Sequence, residues 1–283
     1  MKAGHWANVA RQWKQVGPPL RPSSQDLAFC VKWIERWASA RGAPRVLILG
    51  VTPELYRLPW PAGTDILAVD HTPAMIKALW PGPPKCALSA EWTAMPLPPA
   101  SRDLVLCDGG AHLLAHPEGH RAWVRELRRV LSPGGLCLLR LFVPPRRRET
   151  PAAVLQDLLD GRIANLNLLK LRLAMALCED AARAVELRLV WDTLHAVAPD
   201  LRRLAVRIGW PADHLSAINT YRDCRDRYSF LTVAEVRRLF CGRPGGFAFE
   251  GMDVPTYELG DRCPTVVLRR AGRFRSPGAP RSR

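Results

Sequence analysis

The sequence predicts an α/β protein with a mostly parallel sheet that helices cover on both faces. Short, fully apolar segments alternate with helical patterns from about residue 45 onward, and strands without polar residues are typical of parallel sheets buried on both sides. The chain has 283 residues, of which 48% are hydrophobic and 24% charged, as in ordinary globular proteins of a size that can bury a core. This order of strands and helices is Rossmann-like.

Five strands and four helices are predicted in the first half of the chain. The predicted strands are Val46–Leu49, Ile66–Val69, Cys86–Leu88, Leu104–Cys107 and Leu136–Phe142. The predicted helices are Gln25–Arg41, Pro53–Leu58, Pro73–Leu79 and Glu118–Leu131. Ser23 or Ser24 caps the first helix, and Gly42 ends it. Thr72 before a proline opens the third helix, and Gly134 with its glycine neighbour separates the last helix from the fifth strand.

The stretch from residue 144 to residue 229 is predicted to be a helical insertion. The segment Ile163–Cys178 is strongly apolar with helical spacing, and Val185–Ala198 is a second helix candidate. No strand pattern stands out in this stretch. We therefore expect an added helical unit between the fifth strand and the end of the sheet, suited to enclosing a substrate.

The C-terminal part is predicted to complete the sheet. Thr232 and Glu235 form a capping box that starts a last helix. Phe247–Glu250 and Thr265–Leu268 are the closing strands, which makes a seven-stranded sheet. The expected organisation is a helical cap (1–44), a ligand-binding core (45–143), the insertion (144–229), a helix and strands that complete the core (230–270) and a disordered basic tail (271–283).

The formal net charge of +15 has two open interpretations. A positive field of this size attracts nucleic acids and acidic surfaces. The alternative is a general preference for arginine, since arginine supplies most of the basic side chains. Six arginines lie between Arg269 and Arg283, with no acid among them.

The cysteines and the apolar segments exclude several protein classes. The eight cysteines are scattered without a Cys-x-x-Cys pair, so structural thiols are expected and no metal site is predicted. No apolar run reaches the roughly 18 residues of a membrane span, and the N-terminus lacks the apolar core of a signal peptide. The resulting expectations are no membrane partner and a cytoplasmic location.

Candidate ligand-binding residues follow successive strands of the predicted sheet. Ligands of open α/β sheets bind at the carboxyl ends of the strands. Gly50 follows the first strand, and Asp70, about 20 residues later, is placed to accept both hydroxyls of a ribose. Glu91 and Trp92 follow the third strand, where a carboxylate and an indole suit an adenine base. After the fourth strand, Asp108 precedes two glycines that allow close backbone approach.

These segments resemble the class I SAM-dependent methyltransferases. The resemblance covers about residues 45–142, and its most distinctive motif is Arg-Val-Leu-Ser-Pro-Gly-Gly at 129–135. It implies S-adenosyl-L-methionine (SAM) as the cofactor, with Gly50 beside the methionine moiety and Asp70 on the ribose. It also implies that Glu91, Trp92 and Met75 lie at the adenine. The residues that complete the predicted cofactor site are Thr52, Glu54, His71, Asp108 and Gly109.

The first loop departs from the family pattern. Ile48 stands where an acid is usual, and Thr52 and Glu54 stand where further glycines are usual. Glu54 is a candidate to replace the missing negative charge, and a surface role is the alternative. A glutamate and the missing glycines disfavour the pyrophosphate of a nicotinamide dinucleotide. SAM carries no phosphate and is compatible with this loop.

Three functions remain open from the sequence. The first is methyl transfer to a small molecule, favoured by the apolar insertion. The second is methylation of RNA or another nucleic acid, favoured by the charge, and the third is a non-catalytic SAM-binding protein. No catalytic residue is predicted; His112 is placed either to act as a base or to pack in the core. Trp6, Trp13 and Arg21 are candidates to close over the site, with core anchoring as the alternative for the tryptophans.

Overall fold

The computed structural model describes residues 4–180, 184–243 and 245–272. The strands in this part of the chain are β1 Arg45–Leu49, β2 Asp65–Asp70, β3 Ala87–Ser89, β4 Arg102–Asp108, β5 Leu131–Arg140, β6 Val185–Glu186, β7 Arg227–Tyr228, β8 Phe247–Asp253 and β9 Thr265–Arg270. Seven of them form one sheet in the order β3-β2-β1-β4-β5-β9-β8. The predicted seven-stranded Rossmann-like sheet is therefore confirmed.

Helices pack on both sides of this sheet, as predicted. They are α1 Gly4–Arg11, α2 Ser24–Arg41, α3 Pro53–Tyr56, α4 Pro73–Leu79, α5 Glu118–Val130, α6 Pro151–Leu159, α7 Leu166–Leu177, α8 Leu187–Val197, α9 Leu201–Arg207 and α10 Val233–Cys241. Side chains of β1 alternate between the two faces: Val46 and Ile48 pack towards α2, and Leu47 and Leu49 pack towards α5 and α10. Because both faces are buried, the strand needs apolar residues at every position.

The direction of the strands places the loops of interest at one edge. Strands β1 to β5 are mutually parallel, while β9 runs antiparallel to both β5 and β8. The registers pair Leu49 with Val69 and with Cys107, so β1, β2 and β4 end side by side. The carboxyl ends of the parallel strands thus form one rim, where open α/β sheets bind ligands.

The structure corrects the predicted start of the fifth strand. The strand begins at Leu131, directly after α5, instead of at Leu136, and it ends at Arg140 instead of Phe142. Arg102 pairs with Leu131, and the pairing shifts register before Leu104. The glycines at 134 and 135 therefore lie within an irregular strand rather than in a separate loop. A bulge of this kind leaves no alternating pattern for a sequence to display.

The segment between β5 and α10 contains α6 to α9 and, contrary to the prediction, a pair of strands. Val185 pairs with Tyr228 and Glu186 with Arg227 in an antiparallel two-stranded sheet. Two residues are too few to show the period of a strand. The helices share an apolar core of their own, which includes buried Leu169, Leu173 and Leu194.

The predicted N-terminal helical cap begins with a short helix and a turn instead of one continuous helix. The helix α1 ends at Arg11, and Trp13 lies in a following 3₁₀ turn, Trp13–Gln15. At the other end, Arg269 and Arg270 belong to β9. The predicted disordered tail is residues 271–283, and its arginines lie outside the described residues.

The capping box that opens α2 provides a measurable test of local stability. The Asp26 backbone N–H donates to the Ser23 hydroxyl, and the Ser23 backbone N–H donates to the Asp26 carboxylate. We expect Ser23→Ala to lower the free energy of unfolding by about 0.5–2 kcal/mol. Urea denaturation measures this change, with Ser39→Ala on the exposed face of the same helix as the matched control. Equal effects of the two substitutions would contradict a capping role.

No helix among the described residues is long and apolar enough to cross a membrane. The cysteines of the described chain are all free thiols. The cytoplasmic location stays a prediction.

Candidate functional site

A cavity of about 280 Å³ opens at the carboxyl rim of the parallel strands. This is close to the lower bound of roughly 300–1,000 Å³ for small-molecule sites. One wall comes from the loops after β1, β2, β3 and β4, and the opposite wall comes from α1, α7 and the segment 221–228. The predicted cofactor residues that line it are Gly50, Thr52, Asp70, His71, Met75, Glu91, Trp92, Asp108 and Gly109.

The loop after β1 turns sharply at Gly50. Its φ of +84° lies in the left-handed region, which favours glycine. A Cβ atom there would lie 3.7 Å from the Trp92 ring and 4.0 Å from the Asp70 carboxylate. The structure therefore brings Gly50, Asp70 and Trp92 together at one point of the rim, although 42 residues separate the first from the last.

Asp70 is held in a fixed orientation at the end of β2. Its Oδ1 accepts a hydrogen bond of 2.7 Å from the Thr72 backbone N–H, and the Val51 backbone N–H also donates to the carboxylate. Burial raises the pKa of Asp70, while these hydrogen bonds act in the opposite direction. A buried carboxylate with remaining acceptor capacity suits the paired hydroxyls of a ribose.

Trp92 lines the cavity near Asp70. It is 8% exposed, and its indole Nε1–H donates to the Val69 carbonyl at 2.8 Å. Met75 at the start of α4 is also buried and lines the cavity, whereas Glu91 is exposed at the mouth. An anchored indole plane and an apolar thioether offer packing surface for a flat ring, and a carboxylate at the opening can accept from an amino group.

Close packing of neighbouring side chains requires glycine at the two positions after β4. A Cβ atom on Gly110 would lie 2.6 Å from Cys107 Sγ and 2.7 Å from the Trp92 ring. A Cβ atom on Gly109 would lie 2.8 Å from the Phe142 ring, and Gly109 has a φ of +60°. Larger residues at 109 or 110 would displace the rings that shape the cavity.

Asp108 is buried together with Arg140 from β5. The Arg140 guanidinium donates to the Asp108 carboxylate, to the Pro19 carbonyl at 2.8 Å and to the Tyr257 hydroxyl at 3.5 Å. Burial alone would lower the pKa of Arg140, but the Asp108 carboxylate outweighs this and holds the pKa above its ordinary value. Because Arg140 neutralises it, Asp108 contributes shape rather than free charge to the cavity.

Glu54 lies outside the cavity lining, which differs from its predicted place in the cofactor site. Its carboxylate accepts from the Arg21 guanidinium, with a distance of 2.7 Å from Nε. Arg21 also donates to the Val16 carbonyl at 3.1 Å. Glu54 is thus neither free at the rim nor on the surface, since it joins α3 to the N-terminal segment. The position of the Glu54 side chain therefore depends on its tertiary contact with Arg21.

The opposite wall of the cavity contains residues that the sequence did not single out. His5, Lys170, Tyr221 and Tyr228 line it, together with the two N-terminal tryptophans that the sequence did suggest. Lys170 and Arg172 are the two charged residues of the otherwise apolar helix α7, and charged residues in such a helix were the signal that the sequence offered. Arg172 on the same helix forms ion pairs with two carboxylates.

His112 lies between the two walls and packs in a cluster of aromatic rings. Its ring centroid is 4.3 Å from that of Tyr228, 5.1 Å from Phe142 and 5.9 Å from Phe230. Burial lowers the pKa of His112 to about 3, so the imidazole is neutral at physiological pH. Its Nδ1 has no hydrogen-bond partner in the described chain. These contacts support the packing role, and no residue is assigned as a catalytic base.

One group of described side chains has the composition of a metal site. Ligand-type atoms of His5, Cys224 and Asp226 lie within 4.8 Å of one another. They already interact: the Cys224 thiol hydrogen-bonds to Asp226, and His5 Nδ1 lies 3.3 Å from the Thr220 carbonyl. Burial raises the pKa of Cys224 to about 12 and so disfavours the thiolate that a metal requires.

The fold and the cavity together define a Rossmann-like α/β protein with a cavity at the carboxyl rim of its sheet. Residues 49–139 match the family model described as a methyltransferase domain. The match confirms the resemblance to class I SAM-dependent methyltransferases, and it indicates SAM as the cofactor. No curated protein matches the chain significantly.

Solved structures share the fold across almost the whole chain. A 1,6-didemethyltoxoflavin-N1-methyltransferase from Burkholderia thailandensis, solved with 1,6-didemethyltoxoflavin and S-adenosylhomocysteine, is 12% identical, covers 95% of this chain and 87% of its own, and has a TM-score of 0.52. A Rhodobacter sphaeroides protein described as a Zn-dependent alcohol dehydrogenase is 16% identical, with coverage of 96% and 98% and a TM-score of 0.59. At such identities the likeness concerns the fold alone.

Proposed function

We propose that this protein transfers the methyl group of SAM to a small-molecule acceptor held in the cavity. The observation that carries the proposal is the convergence of Gly50, Asp70 and Trp92 on a cavity whose other wall comes from the N-terminal segment and the insertion. One half of the space has groups suited to an adenosyl moiety. The other half is mainly apolar and aromatic with a few polar groups, which suits a small organic acceptor.

The residues present fit the cofactor in chemistry as well as shape. The left-handed turn at Gly50 leaves room for a ligand against the Trp92 ring, because even a Cβ atom would only reach ordinary contact distance. Asp70 would accept the ribose hydroxyls, and Trp92 with Met75 would contact the adenine. The side chains at this wall include the carboxylates of Asp70 and Glu91, which favour a ligand without phosphates.

SAM supplies an electrophilic methyl group when bound. The chain's part is to hold the acceptor's nucleophilic atom in line with that methyl group and to exclude water. The aromatic rings of Phe142 and Tyr228, with neutral His112 between them, form a wall that contributes no charge. The reaction would therefore depend on how the acceptor is positioned relative to the methyl group. Whether the acceptor is deprotonated would depend on its own pKa.

Calorimetric titration tests the cofactor assignment directly. We expect S-adenosylhomocysteine (SAH) and SAM to bind saturably with one site per chain, and NAD to show no binding because the first loop lacks the glycines that receive a pyrophosphate. Tryptophan fluorescence provides a second readout, since Trp92 lies in the cavity wall. Absence of saturable SAH binding by the folded wild-type protein would remove the proposal.

The nucleic-acid alternative is tested by salt dependence. The cavity is small, and two of the C-terminal arginines, both in β9, are engaged elsewhere: Arg269 pairs with Glu250, and Arg270 donates to the Leu131 carbonyl. We therefore favour a small acceptor. Binding of RNA that persists at 200 mM salt and strengthens with SAH would favour the alternative instead. A protein that binds SAH yet transfers no methyl group to any acceptor would support the non-catalytic interpretation.

A further inference from the structure

The insertion places a cation in the acceptor half of the cavity without a matching anion. Lys170 on α7 lines the cavity, and its Nζ lies 5.0 Å from the centre of the Tyr221 ring. No ion pair or hydrogen bond joins it to another described residue. Arg172, two positions along the same helix, pairs with Glu149 and Asp157. Arg172 is therefore neutralised by carboxylates of the protein, whereas Lys170 lines the cavity without an ion pair.

The carboxylate that shares this wall is engaged elsewhere. Asp226 lines the cavity, yet it forms no ion pair with Lys170; it hydrogen-bonds to the Cys224 thiol and acts on the imidazole of His5. The other carboxylates that line the cavity, Asp70 and Glu91, follow β2 and β3 on the opposite wall, and Asp108 is neutralised by Arg140. The Lys170 ammonium thus has the Tyr221 ring beside it and forms an ion pair with no carboxylate of the described residues.

An ammonium group without an anion in such surroundings is costly, because desolvation is not compensated by an ion pair. Burial lowers the pKa of Lys170 to about 8, which reflects that cost. A ligand with a negative group would remove the cost and form a charge-assisted hydrogen bond of the strong kind. An uncharged ligand would not compensate the desolvation cost of the Lys170 ammonium.

We propose that Lys170 binds an oxyanion of the acceptor, so that the substrate class is a small aromatic or apolar acid with a carboxylate or equivalent group. This inference rests on the proposed function, because it assigns the acceptor half of the same cavity. The acid group would lie beside the Lys170 ammonium and accept a hydrogen bond from it. The apolar body would lie against Trp6 and Tyr228, which line the same wall.

Matched acid and amide pairs test this assignment. The SAH-saturated protein is titrated at pH 7 with benzoate and benzamide, salicylate and salicylamide, and indole-3-carboxylate and indole-3-carboxamide. We expect at least one acid to bind about tenfold more tightly than its amide. Lys170→Met should bring that ratio close to one, Lys170→Arg should retain it, and Lys32→Met on the exposed face of α2 should leave it unchanged. No preference for the acid in any pair, including no binding by any member, overturns the proposal.

The carboxylate of the cofactor itself is the other source of an anion. SAH carries this carboxylate, whereas 5′-methylthioadenosine lacks it. If Lys170 served the acceptor, Lys170→Met would leave the affinities for both compounds unchanged. Weaker binding of SAH alone would assign Lys170 to the cofactor and overturn the acceptor assignment. Failure of both compounds to bind wild type would instead refute the proposed cofactor site, so the two failures are distinguishable.

The pH dependence of acid binding gives a second readout. The charged and titratable groups facing Lys170 across this part of the cavity are His5, Tyr221, Asp226, Arg227 and Tyr228. Burial lowers the pKa of His5 and raises those of both tyrosines. Since the ammonium is lost above about pH 8, the acid should bind more weakly by up to about tenfold per pH unit there. Lys170→Met should abolish this slope without lowering the melting temperature, because it removes a desolvated charge.

Discussion

Replacing Asp70 with alanine is expected to weaken SAH binding by about 1–3 kcal/mol, which is roughly 5- to 150-fold in Kd. The carboxylate is buried at the end of β2, and backbone N–H groups from Thr72 and Val51 hold it in place. In the proposed cofactor site, the substitution would remove a charged acceptor from the ribose hydroxyls. Isothermal titration calorimetry measures the change, and the same experiment with 5′-methylthioadenosine should show an equal loss, because that compound keeps the ribose.

Two further variants separate the ribose contact from damage to the loop. Asp70→Asn keeps an oxygen for the Thr72 N–H and should retain the melting temperature while losing part of the affinity. Asp65→Ala changes the exposed carboxylate at the opposite end of β2, which pairs with Arg102, and should leave binding intact. An unchanged SAH affinity in folded Asp70→Ala would show that the ribose lies elsewhere.

Replacing Arg140 with methionine is expected to lower the free energy of unfolding by about 3–5 kcal/mol. The guanidinium and its partner Asp108 are both almost completely buried, with side-chain exposures of 4% and 7%. Removing the cation leaves an uncompensated carboxylate in the interior, and the Pro19 carbonyl loses its donor as well. Urea denaturation monitored by circular dichroism measures the loss.

A double variant distinguishes this mechanism from simple loss of packing. Asp108→Leu combined with Arg140→Met replaces the ion pair with apolar side chains, which is often neutral or stabilising in buried sites. We expect the double variant to recover most of the lost stability. The exposed pair of Arg202 and Asp213 is the surface control, and Arg202→Met should cost less than about 1 kcal/mol. If single and double variants were equally unstable, the two buried residues would not be coupled.

The candidate cofactor wall could be predicted from the sequence because each part depends on a local pattern. Apolar runs identify parallel strands, and the residues that follow them must meet at one rim. Asp70 and Trp92 were predicted in this way, and the structure places both in the cavity. Their assignment to ribose and adenine stays a proposal. Glu54 occupies an equivalent local position, yet Arg21 holds it away from the cavity.

The sequence by itself determined the succession of the sheet's strands along the chain, the capped helices α2 and α10 and the carboxyl-rim position of the candidate site, because these depend on periodicity and neighbouring residues. Only the tertiary structure decided the opposite wall. Lys170 has an apolar helix around it in the sequence, and only the packing of α7 across the cavity from the sheet leaves its ammonium without an anion. The pairing of Val185 with Tyr228 likewise joins residues far apart in the chain. Contacts of this kind depend on how the insertion folds back over the rim, which no local pattern encodes.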